Sequence, residues 1–204
     1  MGKIILFLFV FFRLSFLFSC DLPDHFDFWV SSKNDEILYS GCYDAVHKGP
    51  HITEYILTKE RLEAPSVKRP SAAFTQYRDG GILQALLAGH GFSLPGHSDY
   101  TNSGYDRGHM VPNADFNDTR ENALMTFFIA NIWPQTPEVN RVTWLETENK
   151  TRFLAREYLA VHVIIIVDEF SPLTVNDVQV PLNFKKYVYN AADDELLFEV
   201  IISQ

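Results

Sequence analysis

Cysteine is nearly absent from this 204-residue chain, which has two, Cys20 and Cys42. Two cysteines cannot build a disulfide framework or a cysteine-rich zinc cage. If Cys20 leaves with an N-terminal leader or carries lipid, Cys42 stands alone. The chain also lacks an excess of positive charge: 17 Lys and Arg face 26 Asp and Glu, a formal net of −9. Such a balance argues against broad electrostatic capture of nucleic acid. It leaves open a locally basic cleft, where the relevant field is that of the nearest groups. There is no internal repeat, no low-complexity linker and no second domain boundary. The expectation is one domain over residues 21–204, long enough for a sizeable core.

Long apolar runs are missing except at the start. Residues 1–20 read MGKIILFLFVFFRLSFLFSC, with Lys3 as a short basic start and Ile4 to Phe12 unbroken and apolar. Arg13 interrupts the run, which is short for a membrane span of about 20 residues. A secretory signal peptide over 1–20 is the expectation, giving a secreted or cell-envelope protein. The ending Leu17-Phe18-Ser19-Cys20 also resembles a lipoprotein cleavage box, with a lipid anchor at Cys20. Without residues 1–20 the chain keeps 15 basic and 26 acidic residues, a net of −11.

The remaining pattern mixes strands and helices. Asp21 to Asn34 reads as an irregular lead-in. Glu36 to Tyr43 and Ile52 to Thr58 read as strands joined by the turn His47 to Pro50. Glu60 to Gly104 is rich in glycine and proline, with a short helix over Ile82 to Ala88. Arg120 to Ile129 and Trp144 to Leu159 carry apolar residues at helical spacing. Asn131 to Asn140 reads as a loop. Val161 to Val167 is a buried strand by its β-branched content. Strands follow at Val178 to Leu182, Phe184 to Tyr189 and Leu196 to Ile202.

Chemistry concentrates in Asp106-Arg107-Gly108-His109. Arginine grips phosphate through a two-point fork. Histidine takes a proton near neutral pH. Glycine admits close approach of backbone or ligand. Further on, Asn140, Trp144, Glu148 and Arg152 recur at steps of four, which keeps them near one side of a helix. An amide oxygen and a carboxylate there suit a hard, largely hydrated cation such as magnesium. The alternative is structural: Asn140 caps the helix and Glu148 pairs with Arg152. Together, His109, Arg107 and Asn140 supply a base, a phosphate clamp and a cation ligand, the needs of phosphodiester hydrolysis. His47, His90 and His97 have no partners at zinc spacing and read as loop histidines.

Tyr105 to Met110, with Pro112 and Ala114-Asp115-Phe116, closely resembles the signature of the DNA/RNA non-specific endonucleases. The resemblance continues through Thr126-Phe127, Asn131-Ile132, Pro134-Gln135, Asn140, Trp144 and Glu148. Upstream, Lys68-Arg69 with Phe74 and Asp79 resembles the family's arginine segment. Downstream, Val180-Pro181 with Phe184-Lys185 resembles its late strands. The chain departs from the pattern at Asp168-Glu169-Phe170 and at His51.

The resemblance implies an α+β, ββα-metal (His-Me finger) fold with a central antiparallel or mixed sheet and flanking helices. It implies His109 as general base, Asn140 as the protein ligand of Mg²⁺ (with Mn²⁺ a possible substitute), and Glu148 holding water near the cation. It further implies Arg107 and Arg69 facing the phosphate, Asn131 orienting the site, and Asp106 and Gln135 in support. DNA and RNA would be bound through the phosphate backbone and cut to 5′-phosphate ends. An inhibitor protein is a partner such a nuclease can have. Two rival readings stand beside this one. One is a phosphodiesterase or pyrophosphatase on small nucleotides, which the acidic balance favours. The other is a catalytically silent interaction protein on the same fold.

Overall fold

A computed structural model describes residues 20–70 and 80–204. The expected leader, apart from Cys20, and the positions Phe74 and Asp79 lie outside the described residues. The organising element is a six-stranded sheet in the order β1-β2-β3-β6-β9-β10. Its strands are β1 (His25–Ser31), β2 (Ile37–Asp44), β3 (Gly49–Thr58), β6 (Ala160–Ile166), β9 (Asn183–Asn190) and β10 (Leu196–Ser203). Every neighbouring pair is antiparallel. Two ribbons complete the strands: β4 (Asp106–His109) with β5 (Ile132–Gln135), and β7 (Phe170–Val175) with β8 (Val178–Pro181).

The helices are α1 (Lys59–Glu63), α2 (Gly80–Gly89), α3 (Arg120–Met125) and α4 (Trp144–Tyr158). Thr58 and Thr119 start α1 and α3 by accepting bonds from the N–H groups of Arg61 and Asn122. That satisfies a helix-start donor that would otherwise lack a partner. Helix α4 is entered through a π-helical turn, Val139–Thr143. It ends at Leu159, whose φ of 69° breaks the helical path.

One face of the sheet carries the core, as the period of two in a strand requires. Phe28, Val30, Tyr39, Tyr43, Tyr55, Leu57, Val163, Phe184 and Val188 are buried there. The β4–β5 ribbon, α3 and α4 are bonded or packed onto that face. Tyr39 Oη donates to the Met125 carbonyl at 2.8 Å, and Trp133 Nε1 to the Pro50 carbonyl at 2.8 Å. Phe28 meets Phe128 edge-on. Burying Trp133 and Trp144 completely contributes about 2–3 kcal/mol each.

Three expectations are corrected and one strand was not foreseen. Residues 25–31 are a strand, because Phe28 and Val30 alternate into the core while Asp27 and Trp29 face outward. The segment after Asn131 is not all loop, because Ile132 to Gln135 pair with the Asp106 to His109 strand. Strand β7 had no counterpart in the sequence reading, since Ser171 to Thr174 are largely exposed and bear no apolar alternation. Cys42 is not alone: Cys20 and Cys42 form a disulfide with Cα atoms 5.6 Å apart. The Cys20 sulfur is then engaged, and a thioether-linked lipid on the same atom is chemically exclusive with this bond. The Cys20 backbone N–H also donates to Asp27 Oδ1 at 3.2 Å, so the start of the described chain is fastened to the first two strands.

Candidate active site

The site forms where β4, the chain leaving it, and the α4 entry turn converge. Within β4, Gly108 lies under the Gln135 side chain. A Cβ at position 108 would stand 2.2 Å from Gln135 Oε1 and 2.3 Å from its Cδ, so only glycine fits. Gln135 is fully buried on the paired strand. Its amide makes no hydrogen bond with the other candidate residues.

His109 ends β4 and is buried. Phe127 lies edge-on to its ring at 5.3 Å, and the Arg69 guanidinium sits 5.3 Å from the centre of the same Phe127 ring. Burial pushes the His109 imidazole down to about 3, and the positive charge of Arg69 adds to this. A hydrogen bond to the Arg107 backbone opposes both. The imidazole is therefore neutral at pH 7, the form that can accept a proton. Phe127 matched the family pattern, but the sequence reading gave it no role as the spacer between this ring and an arginine.

Asn131 clamps the chain immediately after His109. Its Oδ1 accepts from Val111 N–H at 2.8 Å, and its Nδ2 donates to the carbonyls of Val111 and Thr126 at 3.0 and 2.8 Å. Its own carbonyl accepts from Met110 N–H at 3.0 Å. One fully buried amide thus takes up both backbone groups of Val111, as a neighbouring strand would.

Asn140 lies in the π-helical turn. Its backbone N–H is bonded to the Thr136 carbonyl, so it is not the helix cap that its residue type suggests. Its Nδ2 donates to Asp106 Oδ2 at 2.9 Å. That bond fixes which way the amide faces and leaves Oδ1 as its acceptor. Asp106 also accepts two bonds from Arg141, at 2.8 Å each. The Arg141 fork holds the Asp106 carboxyl below the usual carboxylate range, and the Asn140 bond adds to this. Arg141 is the residue the sequence reading passed over here. Its signal was weak, an arginine beside Asn140 with no fixed spacing to Asp106.

Glu148 lies two turns further along, 3.6 Å from Arg152. Arg152 in turn donates to fully buried Asp115 at 2.7 Å. Tyr55 Oη donates to the other Asp115 oxygen at 3.0 Å. Burial pushes the Glu148 carboxyl up, and nearby Lys186 opposes it. Glu148 thus pairs with Arg152, as the structural alternative expected, within a charged cluster that includes Asp115 and Lys186. Lys186 was missed. The resemblance to the family's late strands was drawn on Phe184-Lys185, yet Lys185 faces out to Asp168 and Glu169. Lys186 alternates inward and is fully buried.

Arg107 departs from its expected orientation. Its Nη2 donates to the His97 carbonyl at 2.9 Å and to Thr101 Oγ1 at 3.0 Å. It is thereby bound to the loop over residues 97–101, which Asn176 of the β7–β8 turn also holds through the Asp99 carbonyl. His47 lies in the turn between β2 and β3, as expected of a loop histidine, bonded to Asp44 at 2.5 Å and stacked on Phe170. The donors fit a hydrated hard cation better than a caged one. Asn140 offers one amide oxygen. Among the described residues, no three His, Cys, Asp or Glu side chains converge to hold a metal.

A sheet that carries a two-stranded ribbon and a crossing helix, with a histidine on one and an asparagine on the other, is the ββα-metal nuclease architecture. The chain belongs to the DNA/RNA non-specific endonuclease family, whose model matches residues 24–200. It is 34% identical to Bos taurus mitochondrial endonuclease G over 134 residues, 66% of this chain and 42% of that protein. It is 29% identical to the Homo sapiens protein over 125 residues, 61% of this chain and 39% of that one. A nuclease of Nostoc sp. shares 42% identity over 67 residues, 33% of this chain and 24% of the relative. The matches thus span less than half the length of these relatives. In fold, the chain is similar to a structure described as the EndoG/EndoGI complex. That match has a TM-score of 0.65 and 24% identity, and covers 81% of this chain and 71% of the other.

Proposed function

We propose that this protein is an exported, magnesium-dependent endonuclease that hydrolyses phosphodiester bonds of DNA and RNA without sequence preference. The observation that carries the proposal is the junction of β4 with the α4 entry turn. There Asp106 holds the Asn140 amide, three strand positions from a buried, neutral His109. His109 takes a proton from water, whose oxygen attacks phosphorus; the 3′-oxygen departs and a 5′-phosphate remains. Arg69 lies on the His109 side of the site through Phe127 and meets the charge of the non-bridging oxygens. Arg107 supports the phosphate side by ordering the 97–101 loop as well as by its charge. Asn140 would hold the Mg²⁺ (or Mn²⁺) through Oδ1, with Glu148 directing water nearby. When bound, the cation offsets charge on the phosphate and on the leaving oxygen. Contacts to phosphate alone carry no sequence information, in keeping with non-specific cutting.

The test is digestion of plasmid DNA and of RNA with magnesium, with and without EDTA, by the parent and by His109→Ala. Cleavage that EDTA abolishes and the variant lacks is expected. Cleavage by His109→Ala at the parental rate would remove the base from His109. The acidic balance supports a second reading, hydrolysis of small phosphodiesters; a small nucleotide diester cleaved faster than plasmid would favour it. Export is supported by the apolar leader, here taken to end before Cys20, and by the Cys20–Cys42 bond, which suits an oxidising compartment.

A further inference from the structure

Lys186 is fully buried on β9, on the sheet face that carries the core and α4. Its Nζ donates to Thr147 Oγ1 at 2.9 Å and stands 3.9 Å from the centre of the Trp144 ring. The Trp144 indole N–H donates to the His109 carbonyl at 3.1 Å. Thr147 is the residue before Glu148, and Trp144 lies midway between Asn140 and Glu148. One ammonium group therefore touches two consecutive inward positions of the helix, and one of these grips the residue at the end of β4. Taking a lysine wholly out of water is costly unless charge and hydrogen bonds answer it. The answering groups here are the Thr147 hydroxyl, the π-face of Trp144, and the carboxylates of Glu148 and Asp115.

We propose that Lys186 is a positioning residue that seats Trp144 and Thr147 of α4. It would thereby hold the helix bearing Asn140 and Glu148 in register with the strand bearing His109. This inference rests on reading the site as a phosphodiester-cleaving centre. Lys186 touches neither substrate nor cation, so its loss acts on turnover through the helix. It leaves the affinity for nucleic acid, which depends on surface cations, unchanged.

The test uses the full exported protein with saturating magnesium. Lys186→Met keeps the length of the side chain and removes the charge. It is expected to lower kcat at least tenfold with KM for plasmid within twofold of the parent. Thr147→Val should lower kcat in the same direction, and Thr147→Ser, which keeps the hydroxyl, should restore it. Lys186→Met combined with Thr147→Val should be no slower than Lys186→Met alone, because the two act through one contact. A parental kcat in Lys186→Met, or losses that multiply in the double variant, would overturn the proposal.

A second readout needs no cleavage. The Trp144 indole N–H resonance should shift and exchange faster with solvent in Lys186→Met, while the Trp29 and Trp133 signals stay in place. An unmoved Trp144 signal overturns the positioning role. A parent that cuts neither DNA nor RNA overturns the functional reading instead, and the Trp144 signal still decides whether Lys186 seats the helix. If Lys186→Met does not fold, Thr147→Val against Thr147→Ser carries the same comparison.

Discussion

His109, the base of the proposed mechanism, is buried where protonation is disfavoured. Its folded value of about 3 lies below the 6.5 of an exposed histidine. Below pH 6.5 the unfolded chain therefore binds a proton that the folded chain refuses. Stability is present above 6.5 and is lost as the pH falls toward 3. Between pH 7 and pH 4 the metal-free parent should lose about 2–3 kcal/mol more unfolding free energy than His109→Gln. Urea unfolding at stepped pH measures it, and parallel curves for the two proteins would refute the assigned burial effect. Asp106 permits a second test. Replacing it by Ala frees the Asn140 amide to turn and releases Arg141. Groups that orient a metal ligand typically matter by 10–100-fold. Asp106→Ala should therefore raise the magnesium concentration for half-maximal rate by about tenfold or more, and an unchanged titration would show that the Asn140 amide needs no such partner.

At the scale of elements, two devices fasten pieces that the sheet alone would leave loose. Asn131 supplies the chain after β4 with the partner a third ribbon strand would have given. The Cys20–Cys42 bond secures β1, an edge strand whose one ladder partner among the described residues is β2. Its closed loop spans a sequence separation of 22, for which chain entropy gives about 3 kcal/mol. Cys42→Ser should lower the unfolding free energy by about that amount and leave the cleavage rate at 25 °C unchanged, because the bond lies at the far edge of the sheet. Denaturant unfolding with parallel plasmid assays checks both halves. A parental stability would show that β1 is held by its hydrogen bonds and by Phe28 and Val30 alone.

Across the whole molecule, the charge balance and the site point in opposite directions. A protein of net −9 cannot draw in a polyanion by its overall field. Under the proposed function, affinity comes from a few local cations, among them Arg69 and Arg107. Two or three phosphate contacts give a log–log salt slope of roughly −2 to −3. Raising salt from about 50 to about 200 mM should then lower kcat/KM on plasmid on the order of twentyfold. A slope several times steeper would mean a basic surface that these residues do not account for.

The sequence by itself determined the residue types and their order. Asp106 to His109, Asn140 and Glu148 stood out because such polar side chains at such spacings serve no apolar core, whereas Asn131 was marked by the family resemblance alone. The β-branched run before Val167 and the helical spacing after Trp144 marked β6 and α4 for the same reason, since periodicity is local. Tertiary structure alone decided the pairings. Ile132 to Gln135 became a strand because Asp106 to His109 lay opposite. Arg107 turned to the 97–101 loop because carbonyl and hydroxyl acceptors wait there. Cys20 reached Cys42, and Lys186 rather than Lys185 turned inward beneath Trp144. Which groups meet across 20 to 40 residues depends on the register of strands and on what covers them, and no local pattern carries that information. The site is divided accordingly: its chemistry is written in the chain, and its alignment is a property of the packed sheet and helix.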